Sequence, residues 1–136
     1  MSIEQNKTVV RRFITEVLQN GDISIIDQLC APNYMNRSFG QGLEAFKQMI
    51  PMTQTAFSDY HLTIENLVAE GDDVVARYTM TGKITGSVMG SKPSGKAFSV
   101  RGLTYYRLVN GKIVEDDPIT NQDVIQMLGI KLPVAT

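Results

Sequence analysis

Apolar residues recur at three- and four-residue spacing over the first twenty positions. Val9, Val10, Phe13, Ile14, Val17 and Leu18 make one stripe, with Arg11, Arg12 and Glu16 outside it. Ser2 followed by Gln5 reads as a capping box, so a helix is expected from Ser2 to Asn20 with that stripe as its packing face. Asn20-Gly21 supplies a left-handed end, and Asp22 can cap a second helix over Ile23 to Leu29, closed by Pro32. Leu43, Phe46, Met49, Ile50 and Phe57 mark the inner face of a third helix, in which Pro51 predicts a kink or break.

From His61 the period changes to two. Leu62, Ile64 and Leu67 open a strand, Gly71-Asp72-Asp73 gives a turn, and Val74 to Thr81 alternates with Val74, Ala76, Tyr78 and Met80 inward. The glycine-bearing stretch Thr85 to Lys96 either rims a cavity or joins two strands. Phe98 to Leu108 and Lys112 to Ile119 then pair through Asn110-Gly111, a turn in which both central residues need positive φ. A last short helix is expected from about Asn121 to Leu128, ended by Gly129, with a tail over about 130–136. Helices followed by hairpin-connected strands predict one α+β domain over residues 1–136, three N-terminal helices on a curved antiparallel sheet with a pocket at its open end.

Charge and cysteine content narrow the setting. Thirteen basic against fourteen acidic residues leave a net charge of -1, which argues against nucleic acid as a partner. No apolar run approaches the roughly 18 residues of a membrane span, and the N-terminus has no secretory pattern. Cys30, the one cysteine, has no internal partner and reads as a small buried hydrophobe. A reducing cytoplasm is the expected compartment.

Several segments carry a family resemblance. They are Asn6 to Phe13, Asn20-Gly21-Asp22, Ala31-Pro32-Asn33-Tyr34, Gly42 to Lys47, Asn66 to Asp72, Val74 to Tyr78, Arg101-Gly102, Asn110 to Glu115 and Leu128-Gly129. Over nearly its whole length the chain resembles the SnoaL-like polyketide cyclases of the nuclear transport factor 2-like superfamily. The resemblance implies a cone-shaped fold, a homodimer through the outer sheet face, no metal and no organic cofactor. It also implies a histidine–aspartate pair that closes a ring by aldol chemistry, which needs a base beside a carbonyl and a donor for the oxyanion.

The chain departs from that pattern at the pair itself. Where many relatives carry an aspartate and a histidine after the Ala-Pro-Asn-Tyr segment, it has Asn36 and Arg37, neither of which accepts a proton near neutral pH. The last strand reads Asp116-Asp117-Pro118 in place of the relatives' histidine and tryptophan, and the family aspartate before the last helix falls near Asn121. His61, the only histidine, precedes the first strand and reads as an edge or surface residue.

Alternation puts Val114, Asp116 and Pro118 on one face of the last strand, with Ile113, Glu115, Asp117 and Ile119 on the other. Matched to the apolar face Phe98, Val100, Gly102, Thr104 and Tyr106, this makes Asp116 the candidate general base, its pKa raised among Thr104, Tyr106, Tyr78 and Met80. The competing reading is a solvated acidic pair, or one bound to Arg101 or Arg107. Tyr34, Arg37 and Thr104 are candidates to hold a ligand oxygen, and Arg37 can equally be a plain exposed arginine. Two functions stay open: an acid–base cyclase or isomerase on a small hydrophobic carbonyl compound, and a non-catalytic binding or assembly module. An outward set of Val75, Leu103, Tyr105 and Ile113 suits a two-fold dimer.

Overall fold

The computed structural model describes residues 1–38, 40–87 and 92–119. Helix α1 (Ile3–Arg12) starts at the expected capping box, with the Ser2 hydroxyl accepting from the Gln5 amide and the Gln5 side chain accepting from the Ser2 amide. Beyond Arg12 the coil widens into a π-helical stretch, Phe13–Gln19, before Gly21 turns the chain at φ 74°. The apolar stripe survives this change: Val10, Phe13, Ile14 and Val17 are fully buried. A 3-10 turn (Ile23–Ile25), capped by the Asp22 side chain, leads into α2 (Ile26–Leu29). Helix α3 (Leu43–Ala56) runs on through Pro51 instead of ending there.

Two strands that the sequence pattern did not predict lie between α2 and α3: β1 (Cys30–Asn36) and the two-residue β2 (Gln41–Gly42). Four long strands follow, β3 (Phe57–Glu70), β4 (Asp73–Ile84), β5 (Ala97–Val109) and β6 (Lys112–Ile119). The hairpin between β5 and β6 turns at Asn110 and Gly111, both with positive φ, as the Asn-Gly signal requires. The sheet order is β2-β1-β6-β5-β4-β3. The expected antiparallel meander holds for β3 to β6, while β1 joins β6 in parallel, so the curved sheet is mixed. The expected helix from Asn121 lies outside the described residues.

The helices cover one face of this sheet. Phe13 stacks on Phe46 of α3 with ring centroids 5.5 Å apart and meets Tyr106 of β5 edge-on at 5.8 Å. Val74, Ala76, Leu108 and Ile113 complete the same cluster, and Cys30 is buried in it as expected.

Ile113 corrects the outward set. Leu108 pairs with Ile113 and Arg107 with Glu115, which leaves Val114 as an extra residue in a β-bulge. The bulge shifts the alternation by one step, so Ile113 is fully buried and Val114 lies with Arg107 and Val109 on the far side of the sheet. Asp116 still faces inward.

Candidate functional site

The strands bring one polar group to the helix-covered side. Asp116 pairs with Tyr106 across β5–β6 and with Asn36 across β1–β6, and on β5 Thr104 lies one alternation from Tyr106 on the same face. Tyr34, one alternation from Asn36, donates its hydroxyl to Asp116 Oδ2 at 2.8 Å. Tyr34, Asn36, Thr104, Tyr106 and Asp116 are all buried.

Tyr78 reaches this group because its neighbour across the strand is Gly102. A methyl group at position 102 would lie 2.3 Å from the Tyr78 ring. The bare backbone instead lets the ring cross β5, so that its hydroxyl shares a 3.1 Å hydrogen bond with Thr104 Oγ1. Tyr78 and Met80 are half-buried and packed against the core, and the Met80 sulfur accepts from the Tyr60 hydroxyl at 3.0 Å. An aromatic wall of stacked Phe57 and Tyr60, with Phe98 edge-on to Phe57, continues from there.

Burial dominates the electrostatics. Asp116 is only 4% exposed, and its pKa rises from the ordinary 3.8 to about 7. Desolvation is the main cause and the neighbouring charge of Asp117 adds to it, while the Tyr34 hydrogen bond works the other way. The Tyr34 and Tyr106 phenols are pushed up by burial and then by the Asp116 charge, so both remain donors at any ordinary pH. Because Tyr34 supports the ionised carboxylate, Tyr34→Phe should move the Asp116 pKa above about 7, read from its carboxyl carbon in an NMR pH titration. An unchanged or lower value would contradict that role.

Of the residues picked from sequence, Asp116, Tyr34, Tyr78, Met80, Thr104 and Tyr106 all stand on this side of the sheet. Arg37 does not join them. Its guanidinium pairs with Glu115 and stays largely exposed, although its backbone amide donates to the Asp116 carbonyl oxygen at 2.8 Å. His61 is exposed on β3. Asn36 and Gln41, opposite each other on β1 and β2, were missed as site residues because Pro32 hides the alternation of β1. The inward spacing of Cys30, Tyr34 and Asn36 was the available signal. Among the described residues no three His, Cys, Asp or Glu side chains converge where a metal ion could sit.

A sequence model of the SnoaL-like polyketide cyclases matches residues 8–129. The chain belongs to this family. Among solved structures, this SnoaL-like chain is similar to TsrD from Streptomyces laurentii, at 24% identity and TM-score 0.85 over 95% of this chain and 98% of that one. It is also similar to AclR from Streptomyces galilaeus, a candidate hydroxylase, at 25% identity and TM-score 0.80 over 98% of this chain and 91% of that one. A candidate polyketide cyclase from Acidithiobacillus ferrooxidans shares 27% identity and TM-score 0.79 over 95% and 98%. No curated protein matches the chain. The nuclear transport factor 2-like fold implied by the sequence resemblance is thus the observed one. No helix among the described residues is long and apolar enough to cross a membrane.

Proposed function

We propose that this SnoaL-like protein catalyses cofactor-free acid–base chemistry, cyclisation or isomerisation, on a small hydrophobic carbonyl compound of polyketide type, with Asp116 as the general base. The observation that carries the reading is a buried carboxylate whose pKa is about 7, held by Tyr34. In this reaction Asp116 takes the proton from a carbon beside the substrate carbonyl. The electron pair moves onto the carbonyl oxygen, which accepts a hydrogen bond from the Tyr78–Thr104 hydroxyl pair. Met80, Tyr106 and the aromatic wall supply the apolar contacts. Arg37 has no role in this scheme, being engaged by Glu115.

The test is deuterium uptake from D2O at the acidic carbon of an aryl methyl ketone, followed by NMR, with wild type and Asp116→Asn. Equal uptake by the two proteins would remove Asp116 as base. A second reading, a non-catalytic binding or assembly module, draws on the same Tyr34–Asp116 bond, since a carboxylate satisfied by protein can be purely structural. It predicts ligand binding with no uptake in either protein.

The reading places the protein in the cytoplasm as a homodimer through the outer face of β4 and β5, where Val75, Leu103 and Tyr105 present apolar surface. Light scattering should give twice the 15.1 kDa chain mass. A monomer at micromolar concentration would discard the dimer.

A further inference from the structure

The polar row around Asp116 does not stop at Asn36. Asp116 pairs with Asn36 on β1, and Asn36 pairs with Gln41 on β2, so three consecutive strands place Asp116, Asn36 and Gln41 side by side on the same face. Two members of the row have partners: Tyr34 donates to Asp116, and Asn36 is hydrogen-bonded to Tyr34. The third differs. The side-chain carbonyl oxygen of Gln41 is buried and accepts no hydrogen bond. A buried amide oxygen without a donor carries a desolvation cost that a neutral hydrogen bond would offset, so such groups are rare in folded proteins.

We propose that Gln41 is a specificity-determining residue whose side-chain carbonyl accepts a hydrogen bond from a hydroxyl group on the substrate. The inference rests on the acid–base reading for the substrate's other end. Neighbouring strands lie about 4.8 Å apart, so the Asp116 and Gln41 positions are separated by about 10 Å. The substrate class follows from that spacing: a ketone whose acidic C–H faces Asp116 and whose hydroxyl lies roughly the length of a fused two-ring system away. Asn36, between them, faces the body of the molecule.

The probes are 6-hydroxy-2-acetylnaphthalene and its methyl ether, which share the acetyl group and the ring system and differ only in the donor. Affinity is read from naphthalene fluorescence, and proton abstraction from deuterium uptake at the acetyl methyl. Wild type should bind the hydroxy compound about tenfold more tightly than the ether, the size of one neutral hydrogen bond made to a buried acceptor. Gln41→Met keeps the length and removes the acceptor, so the two probes should bind alike. Gln41→Glu keeps an acceptor and should retain the preference, and Gln41→Asn withdraws the oxygen and should lose it even if the methionine variant does not fold. Preference persisting in Gln41→Met or Gln41→Asn, lack of preference in wild type, or no binding of either probe would each overturn the proposal. Asp116→Asn separates the two readings. Lost uptake with intact preference supports both, whereas unchanged uptake with preference abolished only at Gln41 removes the base and leaves the hydroxyl site standing.

Discussion

Above pH 7 the Asp116→Asn protein is expected to melt at a higher temperature than wild type, while taking up deuterium at least a hundredfold more slowly. The stability half of this result follows from linkage. The Asp116 pKa is about 7 in the folded chain against an ordinary 3.8, so the folded state holds this proton more tightly than the unfolded one. Its favourable contribution is therefore fully present below pH 3.8 and is lost as pH rises through about 7. The gap is about 3 pKa units, and at 1.36 kcal/mol each it corresponds to about 4 kcal/mol of stability given up at alkaline pH. An asparagine never ionises, keeps nearly the same volume, and offers Tyr34 an oxygen to donate to. At pH 8 to 9 the gain should be on the order of 10 °C in melting temperature, shrinking towards nothing near pH 4. The catalytic half has the opposite slope, because only the ionised carboxylate is a base: wild-type uptake should rise with an inflection near pH 7. Calorimetry across the pH range, paired with NMR rates, checks both, and a melting temperature unchanged at pH 9 would show that Asp116 is not desolvated.

Phe13→Ala is expected to cost about 3–5 kcal/mol, the range for removing a fully buried aromatic side chain. Phe13 has no exposed surface, and its ring lies between Phe46 on α3 and Tyr106 on β5. It is thus a contact through which the first helix holds both the third helix and the strand beside Asp116. The variant should also loosen Tyr106 and with it the packing that desolvates the carboxylate. Urea titration gives the free energy, with Met52→Ala as a control, since Met52 is 68% exposed and should change stability by less than about 0.5 kcal/mol. A cost below about 1 kcal/mol would mean that the site relaxes around the missing ring.

How far the sequence revealed this arrangement varied with how local the determining interaction is. The first helix could be read from Ser2, Gln5 and the Val9–Leu18 stripe because capping and periodicity are local, and the β5–β6 hairpin from Asn110-Gly111 for the same reason. Asp116 could be placed because its face follows from pairing with a strongly apolar neighbour. The parallel β1–β6 pairing could not, since it joins residues about eighty positions apart and β1 carries a proline. Arg37 looked like a ligand anchor because its partner, Glu115, is equally distant in the chain. Ile113 was turned outward by a rule of strict alternation that one inserted residue breaks. Gln41 gives no signal of its own: its meaning comes only from the two strands laid beside it.

That inserted residue, Val114, lets one short strand serve two masters. The half before it aims Ile113 at the packed interior, and the half after it starts a fresh phase that delivers an acidic group to the same side one place later than alternation from Ile113 would. The spacing of the hydrophobic anchor and the buried carboxylate is thereby freed from strict alternation. Were Val114 drawn into the regular ladder, strict alternation would force a choice between Ile113 and Asp116 on the inner side, whereas deleting it would leave both there. The bulge is what reconciles this spacing of residues with one packed face.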